Sequence, residues 1–213
     1  MQSLTLQVND VLDEIEVRRI PGQRFLVAIC GAPASGKSTL TTELVRRLQL
    51  KKIKAMPLPM DGFHLDNEVL NEMGLLPRKG APETFDAEGY IELVKRVRAG
   101  KSVYAPKFDR PRDISIAGAI HIPEDADVVV AEGNYLMFDE SPWRELADLW
   151  DLTIRWEVPL PELRARLLQR WLNQNLSRTV ALRRTQGNDL PNAERVLAAA
   201  LPCDIVLDGS PDR

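Results

Sequence analysis

The stretch Gly31, Ala32, Pro33, Ala34, Ser35, Gly36, Lys37, Ser38, Thr39 limits what this chain can fold into more than any other part of it. It follows an apolar run, Phe25 to Cys30, and opens a helical pattern from Thr39 to Gln49. Two glycines let the backbone curl so that several N–H groups face one point, and the helix N-terminus adds the positive end of its dipole. Lys37 reaches the terminal phosphates of a ligand held there, and the Ser38 hydroxyl is placed to ligand a magnesium ion. A strand before the loop and a helix after it are the context this motif requires, so a nucleoside triphosphate is the expected ligand.

A chain of 213 residues suits one α/β domain, and the formal net charge of −3 gives no general attraction to nucleic acid. Cys30 and Cys203 both sit in apolar, strand-like surroundings and read as buried free thiols, which fits a reducing cytoplasm. The N-terminal region carries Asp10, Asp13, Glu14 and Glu16, and no apolar stretch reaches membrane-spanning length. A cytoplasmic chain with no membrane insertion is expected. There is no internal repeat.

Taken in order, Leu4, Val8, Val11, Leu12 and Ile15 fall at helical spacing and predict an amphipathic helix from Gln2 to Val17, ended before Pro21 and Gly22. Ala55 to Met60 reads as a short extended segment weakened by prolines. If parallel to the first strand, it brings Asp61 to the edge where open α/β sheets bind ligands. At that point Asp61 has two readings. Asp61-Gly62 is either a turn before a helix starting near Asp66 or Asn67, or Asp61 is a general base for an attacking hydroxyl. His64 alone is more often structural.

The long loop from Gly74 to Asp86 carries Arg78 and Lys79, which are either solvated or face an anion, and Asp86 caps the helix from Ala87 to Arg98 on local chemistry. Ser102 to Ala105 reads as a strand leading to Pro106, Phe108, Asp109 and Arg110, and alternation around Gly118 predicts a small β excursion. Asp127 to Ala131 predicts a buried parallel strand ending at Glu132, a metal-side carboxylate. A short helix over 141–149, a strand over 152–158, a helix from Pro161 and a final strand over 203–207 follow. Arg166 and Arg170 lie four apart and form either a phosphate clamp or an exposed basic face, the latter favoured on their own merits. Residues 173–191 form the expected cover over nucleotide, before a helix from Asn192 to Leu201. Neither an Asp-x-x-Gly switch nor an Asn-Lys-x-Asp motif follows the strand, which disfavours a GTPase.

Several segments together resemble the phosphoribulokinase, uridine kinase and bacterial pantothenate kinase superfamily. They are Gly31 to Thr39, Pro59 to Leu65, Arg78 to Asp86, Pro106 to Arg110 and Glu132 to Leu136. The likeness runs from about Phe25 to Leu207, and is greatest to the bacterial group known as fructose transport system kinases or nucleoside/nucleotide kinase-family proteins. It implies a P-loop NTPase fold of three α/β/α layers, with a mostly parallel central sheet and a lid. It also implies ATP and Mg2+ as cofactors and a small-molecule hydroxyl acceptor. By resemblance Asp61 is the base, Phe85 and Asp86 hold sugar hydroxyls, and Phe108, Asp109 and Arg110 line the substrate pocket with His64, Lys79 and Tyr135. Lys37, Arg166 and Arg170 stabilise the transferring phosphoryl group, and Ser38 and Glu132 hold the metal. The segment after the Pro-x-aromatic step departs from pantothenate kinases, and uridine kinases lack the Asp61 to Leu65 wording, so neither pantothenate nor uridine is assigned. A nucleotide-binding regulator with slow ATP hydrolysis is the alternative, and a homodimer stays open.

Overall fold

The computed structural model describes residues 4–210. Its strands are β1 (Phe25–Cys30), β2 (Ala55–Pro59), β3 (Val103–Asp109), β4 (Ile114–Ile122), β5 (Val128–Gly133), β6 (Leu152–Glu157) and β7 (Ile205–Asp208). Its α-helices are α1 (Leu4–Arg18), α2 (Lys37–Leu50), α3 (Asn67–Glu72), α4 (Ala87–Arg98), α5 (Leu160–Asn173), α6 (Arg178–Arg184) and α7 (Leu190–Ala198). Five strands form one parallel sheet in the order β2-β5-β1-β6-β7, and β3 and β4 form a separate antiparallel hairpin.

Every residue of β1 is buried, because strands of a sheet covered on both faces must be apolar on both. Period-two alternation sends Phe25, Val27 and Ile29 into one core with Leu40, Leu44 and Leu48 of α2 and Val8, Val11 and Ile15 of α1. Leu26, Ala28 and Cys30 go to the other core, with Tyr90, Val94 and Val97 of α4 and Trp143. Each such large apolar side chain contributes about 1.5–3 kcal/mol on burial. The helices on both faces fix β1 in the middle, with the C-terminal ends of β1, β5 and β2 along one edge.

Several boundaries differ from the sequence expectation. Residues Gln2 and Ser3 of the first predicted helix lie outside the described residues, and the helix runs to Arg18. β2 pairs only with β5, and an edge position tolerates Pro57 and Pro59 because the missing N–H groups face no partner strand. β3 extends through Pro106 to Asp109, with its register shifting at Pro106, which has no N–H to give to the ladder. The short helix at 141–149 is a 3-10 helix, Trp143–Leu149. Much of the expected cover is helical: α6 passes through a π turn, Thr185–Asp189, directly into α7, which starts at Leu190 rather than Asn192. Pro191 lies in the first turn of α7, where its missing N–H breaks no bond within the helix. Cys30 is buried, whereas Cys203 is half-buried and lies before β7 rather than in it; their Sγ atoms are 3.6 Å apart. Among the described residues no helix is long and apolar enough to cross a membrane.

Candidate active site

The turn between β1 and α2 is fixed from below and from the side. A Cβ on Gly31 would stand 2.6 Å from the Trp156 carbonyl oxygen, so only glycine lets the chain leave β1 against β6. Gly36 takes φ +99° immediately before α2, a left-handed value that a side chain would strain. The Ser35 carbonyl accepts from Trp156 Nε1 at 2.9 Å and from Arg166 at 2.7 Å. Arg166 also donates to the Gly209 carbonyl (2.9 Å) and pairs with Glu162 (2.7 Å), so its guanidinium braces the loop from its outer side.

Lys37 is buried at the first position of α2, and its Nζ donates to Asn134 Oδ1 (2.7 Å) and the Ala32 carbonyl (3.2 Å). Burial pushes its pKa down, against the pull of Glu132 and Asp61. Ser38 Oγ lies 3.0 Å from both oxygens of Glu132, on the neighbouring strand β5. Burial raises the Glu132 carboxyl, and nearby Lys37 opposes that rise. A hydroxyl and one carboxylate meeting at a single point are a hard oxygen donor set. Mg2+ accepts such a set, since it takes one or two protein oxygens and completes its shell with phosphate oxygens and water. Ser38 and Glu132 therefore fit the ion, and the curled loop at the start of α2 fits the phosphates of a nucleotide.

Asp61 follows β2 in a 3-10 turn, Met60–Phe63, packed between β5 and the β3–β4 hairpin. Two glycines make that placement available. A Cβ on Gly62 would run into the Pro106 carbonyl of β3, and one on Gly133 would come within 2.6 Å of Met60 Cβ. Burial pushes the Asp61 carboxyl up, but Arg110, His64, Lys37 and Arg170 together outweigh it and hold the group below its usual range. Arg110 pairs directly with Asp61 Oδ2.

Around Asp61, His64 sets its ring 4.0 Å from Phe85 and 4.6 Å from Phe108, with Nδ1 2.8 Å from the Asp61 carbonyl. Burial lowers its pKa, partly offset by Asp61. Lys79 Nζ lies 5.2 Å from the Phe108 ring centre and is held by Asn67 Oδ1 (2.6 Å) and Asp113 Oδ2 (3.1 Å). Tyr135 is fully buried and its hydroxyl donates to the Gly80 carbonyl (2.6 Å), which ties the long loop to the end of β5. Arg170, four residues along α5 from Arg166, sits 5.9 Å from the Trp171 ring centre; burial pushes its pKa down and the charges of Arg110, Asp61 and Asp189 act on it. The two guanidinium groups thus have different surroundings, Arg166 at the Ser35 carbonyl and Arg170 beside Trp171. Asp86 is exposed and its Oδ1 accepts from Gly89 N at 2.9 Å as the cap of α4. Asp109 is held by Arg112 through three bonds of 2.7–3.0 Å.

Three contributors went unmarked in the sequence. Asn134 holds Lys37, Trp156 holds the loop carbonyl, and Asn188 donates from the π turn to the Lys79 carbonyl at 3.0 Å. Asn134 had a signal, since it sits directly after the acidic strand end; the other two are joined to the site only by the fold.

Strand order, loop and carboxylate positions together define a P-loop kinase of the phosphoribulokinase and uridine kinase type. The chain belongs to the Phosphoribulokinase / Uridine kinase family, which it matches over residues 26–170. It is 37% identical over 190 residues to the uncharacterized protein YggC of Escherichia coli K12, covering 88% of this chain and 79% of that one. It is 32% identical to the "Putative uridine kinase C227.14" of Schizosaccharomyces pombe, over 87% of this chain and 83% of the relative. The crystal structure of a "putative fructose transport system kinase" from Silicibacter sp. TM1040 superposes with a TM-score of 0.89 at 48% identity, covering 97% of this chain and 100% of that one.

Proposed function

We infer that this chain is an ATP- and magnesium-dependent kinase that transfers the γ-phosphoryl group to a hydroxyl of a small polar metabolite, with Asp61 as general base. The observation that carries the assignment is the meeting of two carboxylates at one sheet edge, each with its own direct side-chain bond, Glu132 to Ser38 and Asp61 to Arg110. Glu132 lies with Ser38 and Lys37 on the nucleotide side, and Asp61 stands beyond β2 facing Arg110 and Arg170. A module that only bound ATP has no need of the second group, and the acceptor dependence of the reaction separates transfer to a hydroxyl from hydrolysis.

The β1–α2 loop and Lys37 hold the phosphates, while Ser38 and Glu132 would hold magnesium, which would supply charge neutralisation for the phosphates. Asp61 accepts the proton of the acceptor hydroxyl as its oxygen bonds to the γ-phosphorus. The bond from that phosphorus to the oxygen of the departing ADP breaks in the same transfer. Lys37 and Arg170 stabilise the charge on the group in transit. Arg166 keeps the loop in place through the Ser35 carbonyl.

The test is ADP release from protein, ATP and magnesium across sugars, polyols, nucleosides and hydroxy acids, with Asp61→Asn in parallel. A kinase gives acceptor-stimulated release that disappears in the variant while ATP binding persists. Slow release that no acceptor stimulates, equal in wild type and variant, would instead support a nucleotide-dependent regulator.

A further inference from the structure

The acceptor side of the site collects positive charge from three separate segments. Lys79 comes from the loop before α4, Arg110 from the end of β3 and Arg170 from α5. The first two lie over Phe108, at 5.2 Å and 5.9 Å from its ring centre, and Arg170 is close enough to Arg110 to be repelled by it. Cations within about 6 Å of an aromatic face are attracted to it, which keeps these two poised at one spot.

The partners of the three are unequal. Lys79 has Asn67 and the exposed Asp113, and Arg170 lies 5.9 Å from the Trp171 ring centre and feels the charge of Asp189, which is already bonded to Trp171 Nε1 at 2.5 Å. Arg110 has Asp61. A guanidinium on the carboxylate that must take a proton occupies one of its oxygens and favours its charged form, which makes it a weaker base. The Arg110 side chain is also half exposed, at 49%, so it is free to change partner at small packing cost. A neutral acceptor offers it nothing in exchange. An acceptor bearing an anion offers a replacement partner and relieves the repulsion with Arg170.

We propose that the acceptor is a hydroxyl compound carrying its own carboxylate or phosphate, which Arg110 binds beside Phe108 with Lys79, and that this anion draws Arg110 off Asp61. The proposal rests on the kinase assignment above and narrows it. It makes Arg110 a specificity residue: the hydroxyl meets a freed base only when the charged end of the same molecule is in place.

Matched probes isolate the charge: glycerol with glycerate, glucose with gluconate, ribose with ribose 5-phosphate, and fructose with fructose 6-phosphate. Each is titrated calorimetrically into the full chain with magnesium and a non-hydrolysable ATP analogue, and each is assayed for ADP release and for phosphorylated product by mass spectrometry. Wild type, Arg110→Gln and Arg110→Lys are compared. The expected result is binding of at least one charged probe, with its neutral twin and the Arg110→Gln protein each about 10- to 100-fold weaker and partial recovery in Arg110→Lys. The carboxylate and phosphate pairs tell which anion is preferred. Equal affinity for charged and neutral twins, no binding of any charged probe, or binding unchanged in Arg110→Gln would each overturn it. Turnover of a neutral twin alone would keep the kinase and remove the anion, whereas Arg110-dependent binding that never yields phosphorylated product would keep the anion site and remove the kinase.

Discussion

The two halves of the proposed site are built by different means. On the nucleotide side, one continuous segment does most of the work: β1 ends, the chain curls through Gly31 to Gly36, and α2 begins with Lys37. On the acceptor side no single segment suffices. Asp61 comes from a turn after β2, Lys79 from a long loop, Phe108 and Arg110 from the hairpin, and Arg170 from α5. Backbone N–H groups recognise a phosphate whatever it is attached to, so the first half can be local and regular. A particular acceptor is recognised by side chains, and the second half therefore depends on the relative placement of distant segments.

That contrast predicts how substitutions divide. Asp61→Asn should give the largest effect specific to the acceptor side, a fall of about 10²–10⁴-fold in turnover with ATP affinity preserved. Lys37→Ala should lower transfer by about 10²–10³-fold and weaken nucleotide binding as well. Steady-state rates together with direct titration of ATP separate the two patterns. Should Asp61→Asn weaken ATP binding as strongly as Lys37→Ala does, the halves are not distinct.

Gly62→Ala probes how the acceptor side is assembled. The new methyl group meets the Pro106 carbonyl, a backbone atom that cannot rotate away, so the turn and the hairpin must separate. Overpacking of this kind costs about 1–3 kcal/mol. A thermal melt should show the loss, and acceptor turnover should fall further than ATP affinity.

How much of this was legible in sequence follows from the same contrast. The strand, loop and helix around Lys37 could be read because apolar period, glycine spacing and helix start lie in one uninterrupted stretch. Glu132 could be read from its place at the end of an apolar strand. Asp61 had two equal readings on local chemistry, a turn or a base; the structure shows the turn, pressed against β5 and β3 through Gly133 and Gly62, and the base is the reading proposed above. The phosphate role expected of Arg166 and Arg170 came from the resemblance, since helical spacing on its own favoured an exposed basic face. Spacing places two side chains on one helix but does not say that one meets the Ser35 carbonyl and the other looks toward Asp61. The contact of Asn188 with the Lys79 carbonyl joins residues far apart in the chain, and no local pattern announces it.

A smaller effect concerns charge on the nucleotide side. Burial raises the Glu132 carboxyl above its unfolded value, so the folded protein binds that proton more tightly and loses stability as pH rises through the interval between the two values. Glu132→Gln removes this cost. The melting temperature of the ligand-free variant should therefore exceed that of wild type at pH 8, by about 2–4 °C for each kcal/mol relieved. The gain should shrink as pH falls toward the ordinary glutamate range. A variant equally or less stable at every pH would mean that Ser38 and Lys37 more than compensate the burial.

The smallest effect carries the sharpest distinction, at Asp86. Resemblance makes it a holder of acceptor hydroxyls, while the structure gives its carboxylate to the Gly89 N–H at the start of α4. Asparagine caps a helix about as well as aspartate, whereas alanine loses about 1 kcal/mol. Asp86→Asn should leave the melting temperature within about 2 °C of wild type, and Asp86→Ala should lower it by about 2–4 °C. If the cap is the whole of its role, Asp86→Asn keeps the wild-type KM for the acceptor. A raised acceptor KM in Asp86→Asn at unchanged stability would show that the same carboxylate also meets the substrate. The acceptor half would then reach as far as the N-terminus of α4, making it broader than the ring of groups around Phe108.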